Sequence, residues 1–176
     1  MRHALTFFTA LALLGAAPLA VAGDGYSNDP AHHVYDESRD AAADVAAALA
    51  LIQGTDKRVV VALGANWCHD SRGLARHLQS EVMTPILVDS FEVVWVDVDT
   101  PQMGMARNQE LATRFGITPL EGTPTVVVLD ADGNVLNSEA DARRWRNADS
   151  FSTEEVFADF THYSVMTAAA PEHLGD

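Results

Sequence analysis

This chain is short of cysteine, of positive charge and of long apolar stretches, and each shortage narrows what it can be. One cysteine among 176 residues excludes any disulfide within the chain and any cysteine-rich metal cluster. It leaves Cys68 three roles: a buried inert thiol, a link between two copies, or a reactive group. Eleven lysines and arginines face 25 aspartates and glutamates, for a formal net charge of −14. That balance excludes nucleic acid as a partner, because phosphate binding needs a basic face. It also disfavours anionic membrane surfaces. No glycine-rich phosphate loop is present. No stretch beyond the first residues is apolar enough to span a bilayer.

What is present begins with an export pattern. Arg2 and His3 give a positive start, Leu5 to Leu14 form a short apolar run, and Ala20-Val21-Ala22 reads as a cleavage site. This is the pattern of a secretory signal peptide over 1–22. No cysteine follows it to take a lipid anchor. The expected organisation is a mobile leader over 23–35, one domain over 36–166 and a tail over 167–176. The expected compartment is a bacterial periplasm, with no stable membrane insertion after cleavage.

Within the domain, a helix is predicted from about Asp36 to Gln53, with Val45, Leu49 and Ile52 on one face. Arg58 to Leu63 reads as a buried strand. A helix is predicted from Cys68 to about Ser80 and a shorter one over Thr84 to Ser90. Phe91 to Val98 is a second strand, Asn108 to Phe115 a short helix and Thr125 to Leu129 a third strand. Asp130-Ala131-Asp132-Gly133 is a turn leading into a fourth strand at Val135-Leu136. Ser152 with Glu155 makes a capping box for a last helix to about Met166. This order predicts an α/β fold: a mixed sheet with helices on both faces.

Two distant pieces carry the chemistry. Trp67-Cys68-His69-Asp70-Ser71 follows a valine-rich strand and opens a helix, and Gly122-Thr123-Pro124-Thr125 precedes another. A cysteine at a helix start faces unpaired N–H groups and the positive dipole end, which favour the nucleophilic thiolate. His69 adds positive charge when protonated. Ser71, one turn along, is placed to donate a hydrogen bond to the sulfur.

Together the two pieces resemble the signature of the thioredoxin family, over roughly Lys57 to Phe160. The resemblance implies a thioredoxin-like fold with a central mixed sheet of four to five strands. It implies that Pro124 is a cis proline beside the thiol. It also implies that the Thr123 backbone pairs with an extended client segment, with Trp67 as part of the apolar wall. Two departures stand out. Ser71 replaces the family's second cysteine, and Ala62 replaces its buried acid. Cys68 therefore has no internal thiol to resolve a mixed disulfide.

The expected function is monothiol thiol-disulfide exchange through Cys68, of isomerase or oxidoreductase type, with no metal or cofactor. The partners are disulfide- or thiol-containing client proteins or a low-molecular-weight thiol, and a Cys68-linked dimer stays open. The alternative is a degenerate thioredoxin-fold module that binds a protein or peptide without covalent chemistry. A third reading, copper(I) carriage by Cys68, His69, His77, Met103 and Met105, ranks below both. Asp97 and Asp99 fall on one side of a strand by alternation. Arg143, Arg144, Trp145 and Arg146 form a local basic patch, read as a surface segment.

Overall fold

The structure, a computed structural model, describes residues 33–168. The apolar run, the cleavage site, residues 23–32 of the expected leader and 169–176 of the tail lie outside the described residues. In chain order the elements are α1 (Ala41–Leu51), β1 (Arg58–Gly64), α2 (His69–Leu78), α3 (Thr84–Ser90), β2 (Phe91–Asp97), β3 (Asp99–Thr100), β4 (Met105–Ala106), α4 (Gln109–Arg114), β5 (Thr125–Leu129), α5 (Glu139–Arg144) and α6 (Thr153–Ser164). Tight 3-10 turns cover Pro101–Met103 and Trp145–Ser150. Among the described residues no helix is long and apolar enough to cross a membrane.

The central sheet has the order β2-β1-β5. β1 runs parallel to β2, with Val61 opposite Val94, and antiparallel to β5, with Val61 opposite Val127. The apolar run of β1 is continuous because both sheet faces are covered. Val59, Val61 and Leu63 point to one core, with Val45 of α1, its C-cap Ile52, and Leu111 and Phe115 around α4. Val60 and Ala62 point to the other, with Leu74 and Leu78 of α2, Trp145, and Val156 and Phe160 of α6. The mixed sheet between helices is as expected, but it has three full strands rather than four or five.

The expected fourth strand is a single bridge, Val135 to Leu129. The reason is a side chain. After Leu136 donates to the Val128 carbonyl at 2.8 Å, the buried Asn137 amide takes over the edge of β5. It accepts from the Val128 N–H and donates to the Val126 carbonyl, both at 2.9 Å. The backbone pairs that a continuing strand would form are thereby occupied.

Three other boundaries differ. α1 starts later than Asp36, because Asp40 caps it by accepting from the Ala43 N–H, while Asp36 holds a separate turn through Ser38. Tyr35, placed at the end of the leader, is only 2 % exposed and meets Trp95 edge-on at 5.3 Å. The Arg143–Arg146 stretch is not a free basic surface. Trp145 is fully buried, its indole donating to the Tyr163 hydroxyl at 3.1 Å, and Arg144 pairs with Asp159 at 2.8 Å. The Ser152–Glu155 capping box forms as predicted.

Candidate functional site

Strand register brings the two chemical pieces together. Leu63, near the end of β1, lies opposite Thr125, the first residue of β5. Antiparallel neighbours place the exit of one strand beside the entry of the other. The Ala65–Cys68 turn therefore meets the Gly122–Pro124 loop.

The turn closes through the Cys68 N–H, which donates to the Ala65 carbonyl at 3.1 Å. Cys68 is the N-cap of α2 with extended backbone (φ −77°, ψ 126°), and it makes no side-chain cap bond. The thiol is 6 % exposed and donates to the Thr123 carbonyl at 3.3 Å. The Thr123–Pro124 peptide is cis. Thr125 tightens the same loop, its hydroxyl donating to the Gly122 carbonyl at 3.1 Å. Ala62 lies fully buried in an apolar cluster on the α2 side of the sheet.

The neighbours of Cys68 take roles that differ from the sequence expectations. Ser71 is fully buried, and its hydroxyl oxygen accepts from the Ala65 N–H at 3.2 Å. It braces the turn, and among the described residues it makes no hydrogen bond to the Cys68 sulfur. His69 is 71 % exposed on its side chain and pairs with Asp70 at 3.0 Å. Asp70 also accepts from the Asp149 N–H at 3.1 Å, which draws the pair toward the turn after α5. Trp67 is 49 % exposed, and its indole donates to the Asp99 carbonyl at 3.1 Å. It offers an open aromatic face beside the thiol. The Thr123 carbonyl is held by Cys68. Among the described residues the Thr123 N–H makes no hydrogen bond.

Residues outside the motif complete the scaffold. The Asn66 amide forms a reciprocal pair with the Tyr35 backbone, accepting from its N–H at 3.2 Å and donating to its carbonyl at 2.6 Å. The Arg72 guanidinium donates to the Trp67 carbonyl at 2.6 Å and the Asn66 carbonyl at 3.2 Å. Neither residue carries a local signature. Only the position of Arg72 one helical turn past Cys68 hinted that it faces the loop.

Beside Trp67 lies a cleft of about 400 Å³ lined by Asp36, Glu37, Asp97, Asp99 and Arg107 among others. The expected alternation of Asp97 and Asp99 breaks, because β2 ends at Asp97 and Asp99 opens β3 with φ +54°. Both carboxylates still meet Arg107, at 3.4 and 3.8 Å, and Glu37 also pairs with it. Burial pushes the Asp97 carboxyl above the ordinary aspartate range, against the opposing Asp99 N–H and Arg107.

The residues of the copper reading are dispersed. His77 contacts the Thr153 hydroxyl at 3.2 Å, on the α6 side. His69 holds Asp70. Met103 and Met105 are exposed around the β3–β4 hairpin.

Several known proteins are similar to this chain. A family model described as thioredoxin-like matches residues 40–131. The crystal structure of a disulphide isomerase from Xylella fastidiosa Temecula1 is 34 % identical, covering 73 % of this chain and 94 % of that one, with a TM-score of 0.65. The solution structure of a thioredoxin from Thermus thermophilus is 25 % identical over 68 % of this chain and 83 % of that one, with a TM-score of 0.47. The first thioredoxin domain of mouse Protein disulfide-isomerase A4 is 18 % identical over 86 % of this chain and 94 % of that one, with a TM-score of 0.44. Among curated proteins there is no match.

Proposed function

The chain belongs to the thioredoxin-like family, and we propose that it is an exported protein that performs monothiol thiol-disulfide exchange, of isomerase or oxidoreductase type, through Cys68. One observation carries this reading: the single thiol caps α2 and touches the carbonyl of Thr123 in the cis-proline loop at 3.3 Å. The similarity to a disulphide isomerase supports it. The export pattern of residues 1–22 supports the periplasmic assignment.

The chemistry follows from the contact. The S–H form donates to Thr123, whereas attack requires the thiolate. When the proton leaves, two electron-rich atoms face each other, and the Thr123 carbonyl is released. That carbonyl and the Thr123 N–H then offer an acceptor and a donor to an extended client strand. The Cys68 thiolate attacks one sulfur of the client disulfide. A Cys68–client bond forms, the client S–S bond breaks, and the other client sulfur leaves as thiolate. Ser71 cannot resolve the adduct, so a second thiolate, from the client or from a small thiol, attacks the client sulfur; a new disulfide forms there, the Cys68–client bond breaks and Cys68 leaves as thiolate. The substrate-binding role falls to Trp67, Thr123 and Pro124. Ser71 acts by holding the turn, and His69 by its exposed imidazole next to Cys68.

The second reading, a binding module without covalent chemistry, draws on the near-complete burial of the thiol and on apolar Ala62 beneath it. Thiol-blocked extracts of the exported compartment, run on a non-reducing gel, separate the two. Reductant-sensitive adducts in wild type that vanish in Cys68→Ser support exchange and identify the partners. A lone self-adduct marks a Cys68-linked dimer. Absence of adducts, with slow alkylation of native Cys68, overturns the exchange reading in favour of the binding module.

A further inference from the structure

Two thioethers stand in the open on the hairpin that holds Trp67. Met103 ends the 3-10 turn Pro101–Met103, Gly104 follows with φ +75°, and Met105 opens β4 opposite Thr100. At the start of the same hairpin, the Asp99 carbonyl accepts from the Trp67 indole at 3.1 Å. Met103 is 69 % exposed and Met105 53 %. Neither belongs to either apolar core.

The other sulfurs among the described residues are covered. Met83 is fully buried, and Met166 packs part-buried against the core on the α2 side. Cys68 is nearly closed off, and its S–H lies on the Thr123 carbonyl. Oxidation of sulfur follows exposure, and at cysteine it also follows thiolate character. Cys68 is disfavoured on both counts, because the fold covers its sulfur and gives its proton an acceptor. A thioether has no proton to lose, so exposure alone ranks the methionines. The consequences of oxidation also differ. A cysteine sulfenic acid is rescued by condensing with a second thiol, and position 71 offers only a hydroxyl. A methionine sulfoxide is returned to the thioether by sulfoxide reductases.

We propose that Met103 and Met105 are the oxidant-modification sites of this protein: they take oxygen from hypohalous acids ahead of Cys68, and under limiting oxidant they keep the single thiol reduced. The step is a two-electron oxidation of the thioether. With hypochlorous acid, an S–O bond forms, the O–Cl bond breaks, and chloride and a proton leave. The sulfur is oxidised to sulfoxide and the chlorine is reduced to chloride. Each methionine consumes one oxidant molecule. Because neither side chain fills a core, the added polar oxygen displaces no packing, and the site can be oxidised and restored without unfolding the chain. This protection does not depend on what Cys68 does. Open thioethers and a covered thiol are enough for it.

The test treats the reduced native protein with about one equivalent of hypochlorous acid, quenches with free methionine and maps the added oxygen by peptide mass spectrometry. Oxygen is expected at Met103 and Met105 at least about tenfold above Met83, the covered methionine of the same chain. Cys68 is expected to remain available to an alkylating agent once the protein is unfolded. This comparison lies within one wild-type molecule and needs no variant. A second measurement applies the same dose to the Met103→Leu, Met105→Leu double variant. The Cys68 thiol surviving there is expected to fall at least about twofold below wild type. Oxygen reaching Cys68 before the hairpin methionines, or Met83 as readily as Met103 and Met105, overturns the proposal. Equal survival of the thiol in wild type and double variant overturns the protection. The oxidised wild type is expected to keep its urea midpoint, and a clear drop would overturn the claim that the oxygen sits outside the packing.

Discussion

The two flanks of Cys68 are finished to different degrees. On the Trp67 side the polar groups are matched within the fold. Asn66 pairs with Tyr35, Ser71 with the Ala65 N–H, the Trp67 indole with Asp99, and Arg72 with the Asn66 and Trp67 carbonyls. On the cis-proline side, Arg146, packed against Gly122, carries buried donors that meet no acceptor, and the Thr123 carbonyl is held only by the reacting thiol. Satisfied groups make a rigid wall, whereas the Thr123 carbonyl, held by a thiol that must lose its proton to react, is an acceptor that reaction sets free.

Substitutions sharpen that contrast, beginning with the closed flank. Gly64→Ala drives a methyl to 2.4 Å from the Tyr35 ring, which is itself buried against Trp95. Overpacking of this kind costs about 1–3 kcal/mol, expected as a lower urea midpoint and faster alkylation of Cys68. Asn66→Ala removes both hydrogen bonds to Tyr35 and is expected to cost about 1–2 kcal/mol. An unchanged midpoint in that variant would show that the Trp67 wall is held by packing alone.

Asp97 gives a pH signature. Burial raises its folded-state pKa above the ordinary value, so the native state binds the proton more readily than the unfolded chain. The contribution of Asp97 is therefore most favourable at low pH. It declines as pH rises through the interval that starts near the ordinary value of about 3.9. Asp97→Asn is expected to remove that decline, so that the variant's unfolding midpoint gains on the wild type's as pH rises through the interval. A variant that instead loses ground to the wild type as pH rises would reverse the sign of this assignment. The smallest effect belongs to the open flank. Arg146→Gln is expected to change stability by no more than about 0.5 kcal/mol, because the fold gives that guanidinium no hydrogen bond to lose.

Much of the frame was legible in the residues. Continuous valines marked β1 and β5, Ser152 with Glu155 marked the start of α6, and Cys68 stood at a helix start by its place after a strand. The contacts that shape the site were less legible, because each joins residues far apart in sequence. Tyr35 looks like leader until Gly64 makes room for its ring. Asn137 looks like strand, yet its side chain stands in for the backbone. Asp99 breaks alternation through a positive φ that period-two reasoning does not contain. One miss had a signal: Ser138 and Asp141 show the serine-to-acid spacing of a helix start, and Ser138 does cap α5. Arg146 sat inside a stretch read as generic basic surface, and only the position of Gly122 gave it a location.

Ser71 has a consequence for how this chain can change. Its oxygen is the acceptor for the Ala65 N–H, inside a turn where both residues are fully buried. Sulfur accepts hydrogen bonds weakly. Installing a thiol at position 71 would therefore loosen the loop that aims Cys68 while adding the group able to resolve its adducts. A single-step change to a two-thiol protein is therefore opposed by the backbone bond at Ala65.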